Sequence, residues 1–444
     1  MVGTAIPNAD GKNTARKRVT ITHALTTLAP LMFAFGAAHL VYQIWQHWNA
    51  PVLDFRFFWL AGDIWAQGET PYSETFARRA ADEFGILVGA AWYYPPNWIL
   101  PTALLSLFEP LTSSRLWLII NCLMLTAASA LNVMVFRSLH RKSALFRFSS
   151  PVSQSLGGLH PALIFGLHFG FIAAMQATGN TLHLGQSSML IYLGASLIAY
   201  GAVLRGSYSG AIGVAIVMLK PQIGILMVIA LGVSAYGRRI IVLGAILSFL
   251  IAAPALLITP MPDILSAMAT TTTQYNDHPY NLPAAMTGLT HILWALGDNA
   301  SGAILYIFAG IVWICALTLI TTLKPRVQTI DRVIIAAVVL LAATPLHIYD
   351  FTLLGVILLP VLRLRGAYSF ISAAAIICIW RAGNLPQIES LTERAAVYYP
   401  GSLYVSIGAV LLLGCITMAV IRRRWSPQMM NLGHTRAQTQ PATA

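Results

Sequence analysis

The sequence predicts an all-α membrane protein, a polytopic bundle of about twelve transmembrane helices of the length a bilayer demands. Three observations carry this. Of 444 residues, 57% are hydrophobic and only 9% charged, with mean hydropathy +0.70, whereas a soluble chain of this length needs far more charge to cover its surface. Apolar blocks recur evenly from residue 23 to residue 421. The cationic residues also gather at one side of the thread those blocks define, as the positive-inside rule requires.

Along the chain, Lys12, Arg16, Lys17 and Arg18 precede the apolar run His23–Trp45. The combination resembles a signal peptide, but the run is about 22 residues long, enough to span, and no convincing cleavage site follows it. It reads as a retained first helix behind a cytoplasmic arm at 1–22. Further spans are expected at 113–136, 160–176, 187–204, 207–219, 221–236, 239–258, 301–323, 332–345, 347–362, 366–382 and 402–421. The pieces 96–108 and 285–297 are too short and too Pro-flanked to span, and read as half-inserted or interfacial helices. The whole of 23–421 forms one integrated bundle, followed by a polar tail at 422–444 that is expected to be disordered.

This threading puts the N-terminal arm, 137–147, Arg205, Arg238, Arg239, 324–332, Arg363, Arg365 and the tail in the cytoplasm, and with them most of the 27 Lys and Arg. Of the 15 acids, all but Asp10 and Asp331 fall outside or at the outer boundary. Both termini are therefore expected in the cytoplasm of a bacterial inner membrane, with the chemistry on the periplasmic side. The net charge of +12 reads as a topology signal with contact to anionic membrane lipid, not as a nucleic-acid footprint. Cys122, Cys315, Cys378 and Cys415 all lie in apolar stretches, without disulfide or metal spacing. The sequence also lacks a Walker loop, a dinucleotide fingerprint, a Gly-x-Ser-x-Gly elbow and an Asp-x-Asp pair.

The first outer loop, 46–95, is the longest. Residues 54–66 are aromatic and amphipathic, so a helix lying along the membrane surface is expected there, broken at Gly68-Glu69-Thr70-Pro71-Tyr72. Asp54 stands where that helix begins. Its carboxylate suits either an N-cap, accepting from free amides, or chemistry at the membrane rim. Asp63 reads as part of a solvated face. Tyr93 and Tyr94 precede two prolines that hold the backbone extended, and suit an interfacial anchor or a sugar-stacking surface. Lys220 lies in a turn between two short helices, where it can meet phosphate or snorkel to headgroups. His183 and Gln186 occupy a turn before the span at 187. His347 and Asp350 sit where two helix ends meet, and an intramembrane Asp generally serves a purpose or a partner. His278 falls in the polar loop 270–281.

Five separated segments resemble glycosyltransferase family 87, membrane enzymes that use polyprenyl-phosphate sugars. They are Asp54-Phe55 with "FWLAGDIWAQGETPY", "WYYPPNWILPTALLSLFEPL" (92–111), "LHLGQSSML" (182–190), "LKPQIGIL" (219–226) and "ATPLHIYDFTLLGVILLP" (343–360). The order agrees over roughly residues 30–365. Many members carry Asn two residues after the Gly-Gln, where this chain has Ser188, and the Thr-Pro segment is shifted in spacing with His347 inside it.

The resemblance implies a GT-C-like bundle with its catalytic carboxylate in the first external loop, which by position is Asp54. It implies a polyprenyl-phosphate sugar donor (mannose-like or pentose) and an envelope glycolipid or polysaccharide acceptor. No cofactor is expected, the lipid-linked sugar being a substrate; the acids and histidines lack zinc-ligand spacing, and a divalent metal beside the phosphate stays an open alternative. A single carboxylate suits an inverting displacement, taking the acceptor's proton as the anomeric carbon is attacked. Lys220 and Gln222 of the Lys-Pro-Gln segment, His183, Gln186, Tyr94, His347 and Asp350 are the expected substrate contacts. A transporter or flippase of a lipid-linked sugar is the competing expectation, although its charges belong near the midplane in broken helices. An O-antigen ligase or polymerase is a third, and should carry its largest outer loop later in the chain.

Overall fold

The computed structural model describes residues 9–86, 91–143, 146, 150–297, 307, 309–316, 318, 328–364 and 366–424. The first residues of the N-terminal arm, most of the tail and much of the expected span 301–323 lie outside these. Among the described residues the chain is helical, without a strand, and Thr287 and Leu346 form an isolated backbone bridge. Arg18–Gln46, Pro110–Leu139, Ala235–Ile258 and Ser402–Arg422 are each long and apolar enough to cross a bilayer. Shorter apolar helices fill the space between them: Ser188–Leu204, Ser207–Val217, Pro221–Gly232, Ile348–Val361 and Ala367–Trp380. This all-helical, apolar architecture is that of a membrane protein.

The expected span 160–176 is a bent pair, Pro161–Ala173 and Gln176–Leu184, meeting at 60°. Met175 is extended at the break, so two helices replace one. The bend carries the second helix sideways and brings its last turn to the candidate site.

Position in the bundle follows residue type. From Ile330 to Ala343 every residue is buried, and Leu354–Val361 is buried along its whole length. A helix apolar all round needs neighbours on every side, and these two form the centre. Rings and branched side chains of the peripheral helices, such as Val41, Trp45, Phe249, Leu257 and Phe370, stay exposed, as lipid-facing surface does. Small residues let helices close up: a Cβ at Gly213 would stand 2.6 Å from the carbonyl oxygen of Gly194 on the adjoining helix.

Candidate functional site

The site is built outward from the Phe55–Ala66 helix. Its aromatic face is covered by protein instead of lying open to a membrane surface: Phe55, Phe58, Trp59, Ile64 and Trp65 are all buried. Phe58 stacks on Trp98 with centroids 4.7 Å apart and meets Tyr94 at 5.0 Å. The Trp59 indole donates to the Phe108 carbonyl at 2.8 Å. A Cβ at Gly62 would lie 2.1 Å from the Thr102 carbonyl oxygen, so the helix lies directly against Ile99–Leu105. Composition could not separate this from lipid contact, because both environments select the same aromatic residues.

Asp54 does not cap this helix. Its backbone is helical (φ −79°, ψ −19°) and its carboxylate accepts no bond from the helix amides; a capping side chain usually needs an extended backbone. The Asp54 N–H donates to the Leu184 carbonyl at 2.7 Å, and Gln186 Nε2 donates to Asp54 Oδ2 at 2.5 Å.

The Gly-Gln turn explains that contact. Gly185 ends Gln176–Leu184 in the left-handed conformation at φ +75°, where glycine carries no steric penalty. The Gln186 N–H closes the turn on the Thr181 carbonyl at 2.9 Å. A Cβ at Gly185 would lie 2.4 Å from Val52 Cγ2 and 2.7 Å from Phe55 Cβ, so a bare backbone is what lets the turn nest against the segment bearing Asp54. The Trp117 indole, donating to the Gly185 carbonyl at 2.8 Å, locks it. Beside Asp54, Gln186 Oε1 and Ser187 Oγ are buried with no hydrogen-bond partner among the described residues, an arrangement that calls for a ligand or a water.

Asp54 Oδ1 bonds to no described residue. Burial pushes the Asp54 carboxyl above its ordinary range, against the opposing pull of the Gln186 hydrogen bond and the charges of Lys220 and then His183. Desolvation of the carboxylate outweighs one neutral donor and the nearby cations.

Lys220 and Asp350 are brought together across 130 residues. Lys220 Nζ lies 2.9 Å from Asp350 Oδ1, with both side chains 4% exposed. Ser188 donates to the same oxygen at 2.7 Å, and the ammonium lies 4.9 Å from the centroid of the Tyr349 ring. Lys220 therefore does not snorkel. The Trp98 indole donates to the Leu219 carbonyl at 2.9 Å, tying the Tyr-Pro-Pro block to the lysine segment, and Pro221 starts the next helix where a missing N–H costs nothing.

The other expected contacts divide. His183 is exposed on the last turn of its helix and pairs with His47, ring nitrogens 3.3 Å apart. His347 is buried; its Nε2 pairs with Asn281 Oδ1 at 3.1 Å and its ring stacks on Tyr349 at 4.9 Å. Tyr94 packs among Phe58, Trp92 and Trp98, and its carbonyl accepts from the Tyr72 hydroxyl at 2.6 Å. Gln222 is exposed in the first turn of Pro221–Gly232. Asp63 pairs with Arg79 at 2.6 Å, and His278 caps the turn 279–281. No group of three or more His, Cys, Asp or Glu suited to a metal ion occurs among the described residues.

Sequence reasoning missed Tyr399. Its ring stands 6.5 Å from His347 and 6.4 Å from Tyr280, and its hydroxyl is pushed up to about 12 by burial first and then by the Asp54 carboxylate and Tyr280. A signal was present: Tyr398-Tyr399-Pro400 repeats the Tyr93-Tyr94-Pro95 pattern of the first loop. Compared with known proteins, the chain matches no family model and no curated protein.

Proposed function

We propose that the chain is a membrane glycosyltransferase of the GT-C kind, resembling glycosyltransferase family 87, that moves a sugar from a polyprenyl-phosphate donor to an envelope glycolipid or polysaccharide. In this proposal the bundle crosses the inner membrane about twelve times, both termini are cytoplasmic, and Asp54 faces the periplasm. One observation carries it. Asp54 is neither a cap nor half of an ion pair; it is held on one oxygen by Gln186, and its other oxygen has no partner among the described residues.

The acceptor hydroxyl gives its proton to the free oxygen of Asp54 as its own oxygen bonds to the anomeric carbon. The bond from that carbon to phosphate breaks at the same time, and polyprenyl phosphate leaves with the bonding pair. The oxygen of a carboxylate is a competent base once the hydroxyl acidifies in the transition state, and its raised pKa strengthens it as an acceptor while leaving it ionised above that value. Lys220, whose charge reaches Asp54 from within its ion pair with Asp350, adds positive potential against the charge on the leaving phosphate. Asp350 is tied up in a buried ion pair, so it is a poor nucleophile for a double displacement, which supports inversion.

The test is transfer by the purified protein in lipid, from labelled polyprenyl-phosphate mannose or arabinose to a glycolipid acceptor. Wild type should form product of inverted anomeric configuration, and Asp54→Ala should form none while still folding. Transbilayer movement of the donor without transfer would favour the competing flippase, to which the buried Lys220–Asp350 pair lends support.

A further inference from the structure

Beyond the reacting carboxylate, three distant segments converge on a set of aromatic rings. Tyr280 comes from the turn 279–281, His347 and Tyr349 from the start of the Ile348–Leu353 turn, and Tyr399 from the approach to the last helix. The rings are continuous: Tyr280 to Tyr399 at 6.4 Å, Tyr399 edge-on to His347 at 6.5 Å, and His347 stacked on Tyr349 at 4.9 Å. Tyr280 is exposed, while Tyr349 and Tyr399 are half-buried.

The backbone beneath Tyr399 is built to hold that position. Gln176 Nε2 donates to the Pro400 carbonyl at 3.0 Å, and the Gly401 N–H donates to Gln387 Oε1 at 2.9 Å. Gly401 has φ +92°, and a Cβ there would lie 2.6 Å from the Ala382 backbone. A larger residue could adopt neither the angle nor the approach.

We infer that Tyr280, Tyr399 and the His347–Asn281 pair form a saccharide platform that seats the sugar ring of the acceptor. An aromatic face presents apolar area to the C–H face of a pyranose, and neighbouring polar groups bond its rim hydroxyls; rings with a few convergent polar groups are the usual make-up of a small-ligand site. The geometry also gives an order. Lys220, over Tyr349, marks the phosphate end, and the rings run from there past His347 to Tyr399 and Tyr280, leaving that far end to the acceptor. The acceptor's identity rests on the glycosyltransferase proposal, whereas sugar binding at these rings does not.

The experiment uses the full chain in lipid nanodiscs. Binding is measured for dialkylglycerols bearing one mannose, glucose or arabinose, and for the same lipid without sugar, with wild type, Tyr280→Ala, Tyr399→Ala and Tyr399→Phe. At least one sugar head group should bind wild type more tightly than the bare lipid. The alanine variants should lose on the order of tenfold of that affinity, and Tyr399→Phe, which keeps the ring, should stay within about twofold. Tyr280→Ala, an exposed position, guards against loss through misfolding. In transfer assays the same variants should raise the acceptor KM and leave the donor KM unchanged. No preference for any sugar over bare lipid, or alanine variants that bind like wild type, would overturn the platform. Sugar binding lost in the alanine variants, with no transfer by wild type from either donor, would keep the platform and remove the enzyme proposal.

Discussion

Asp54 and Asp350 belong to one neighbourhood and are treated oppositely. Asp350 is buried, meets the Lys220 ammonium at 2.9 Å and accepts a second bond from Ser188. Asp54 keeps part of its surface open and has one neutral donor, Gln186. A buried carboxylate with a cation and a hydroxyl on it is satisfied, and its work is to hold segments together. A carboxylate desolvated by its surroundings, with a raised pKa and an open oxygen, is poised. The pair at Lys220 and the Ser188 hydroxyl tie the segment that carries His347 and Tyr349 to the chain just after the turn that holds Asp54.

The comparison breaks most visibly at the anchor. Lys220→Met should leave the Asp350 charge buried without its cation and cost about 3–5 kcal/mol of stability, read as a large drop in Tm in lipid or detergent. The double variant with Asp350→Leu should recover most of that loss. A single variant as stable as wild type would show that the two carboxylates are not different in kind.

Gly185→Ala comes next. It forces a side chain into a left-handed angle and against Val52 and Phe55, a strain of about 1–3 kcal/mol. Because the displaced turn carries Gln186, transfer should fall by on the order of a hundredfold, out of proportion to the loss in Tm. Equal activity in Gly185→Ala would detach the turn from Asp54.

Gln186→Leu sharpens the comparison by pH. The Asp54 carboxyl already ionises above its ordinary range, and the Gln186 hydrogen bond is the largest of the effects that oppose that rise; without it the pKa climbs further. A base acts only when deprotonated, so the acid limb of kcat/KM should move to higher pH while the rate well above it changes less. An unmoved limb would separate the observed titration from Asp54.

The smallest effect belongs to Asp63, whose partner Arg79 lies at 2.6 Å with side chains 20% and 23% exposed. Asp63→Ala should cost at most about 1 kcal/mol and leave transfer unchanged, in contrast to Asp54 at the other end of the same helix.

Most of the described helices were legible as apolar runs: the expected span 187–204 is Ser188–Leu204, and 366–382 is Ala367–Trp380. The bend at Met175 was not, because Ala173 to Gln176 carries neither Pro nor Gly to announce it. The covered position of the Phe55–Ala66 helix was hidden for a different reason, since burial against Trp92, Trp98 and Thr102 needs the same apolar face as a membrane surface. Of the residues singled out in the sequence, the fold brings Gln186 to Asp54 and Lys220 to Asp350. Which of the two acids pairs with the lysine depends on contacts 130 residues apart, and local spacing holds no information about that. Whether Asp54 caps its helix depends on a backbone angle, which residue type leaves open.

Asp54→Asn keeps the side chain's shape and its place beside Gln186 but removes the charge, so transfer by this variant isolates the role of the Asp54 carboxylate as base. The variant should fold and bind the polyprenyl-phosphate sugar like wild type, and lose transfer by a factor of about 10²–10⁴, the usual worth of a general base. An Asp54→Asn protein that transfers sugar at the wild-type rate would contradict the account.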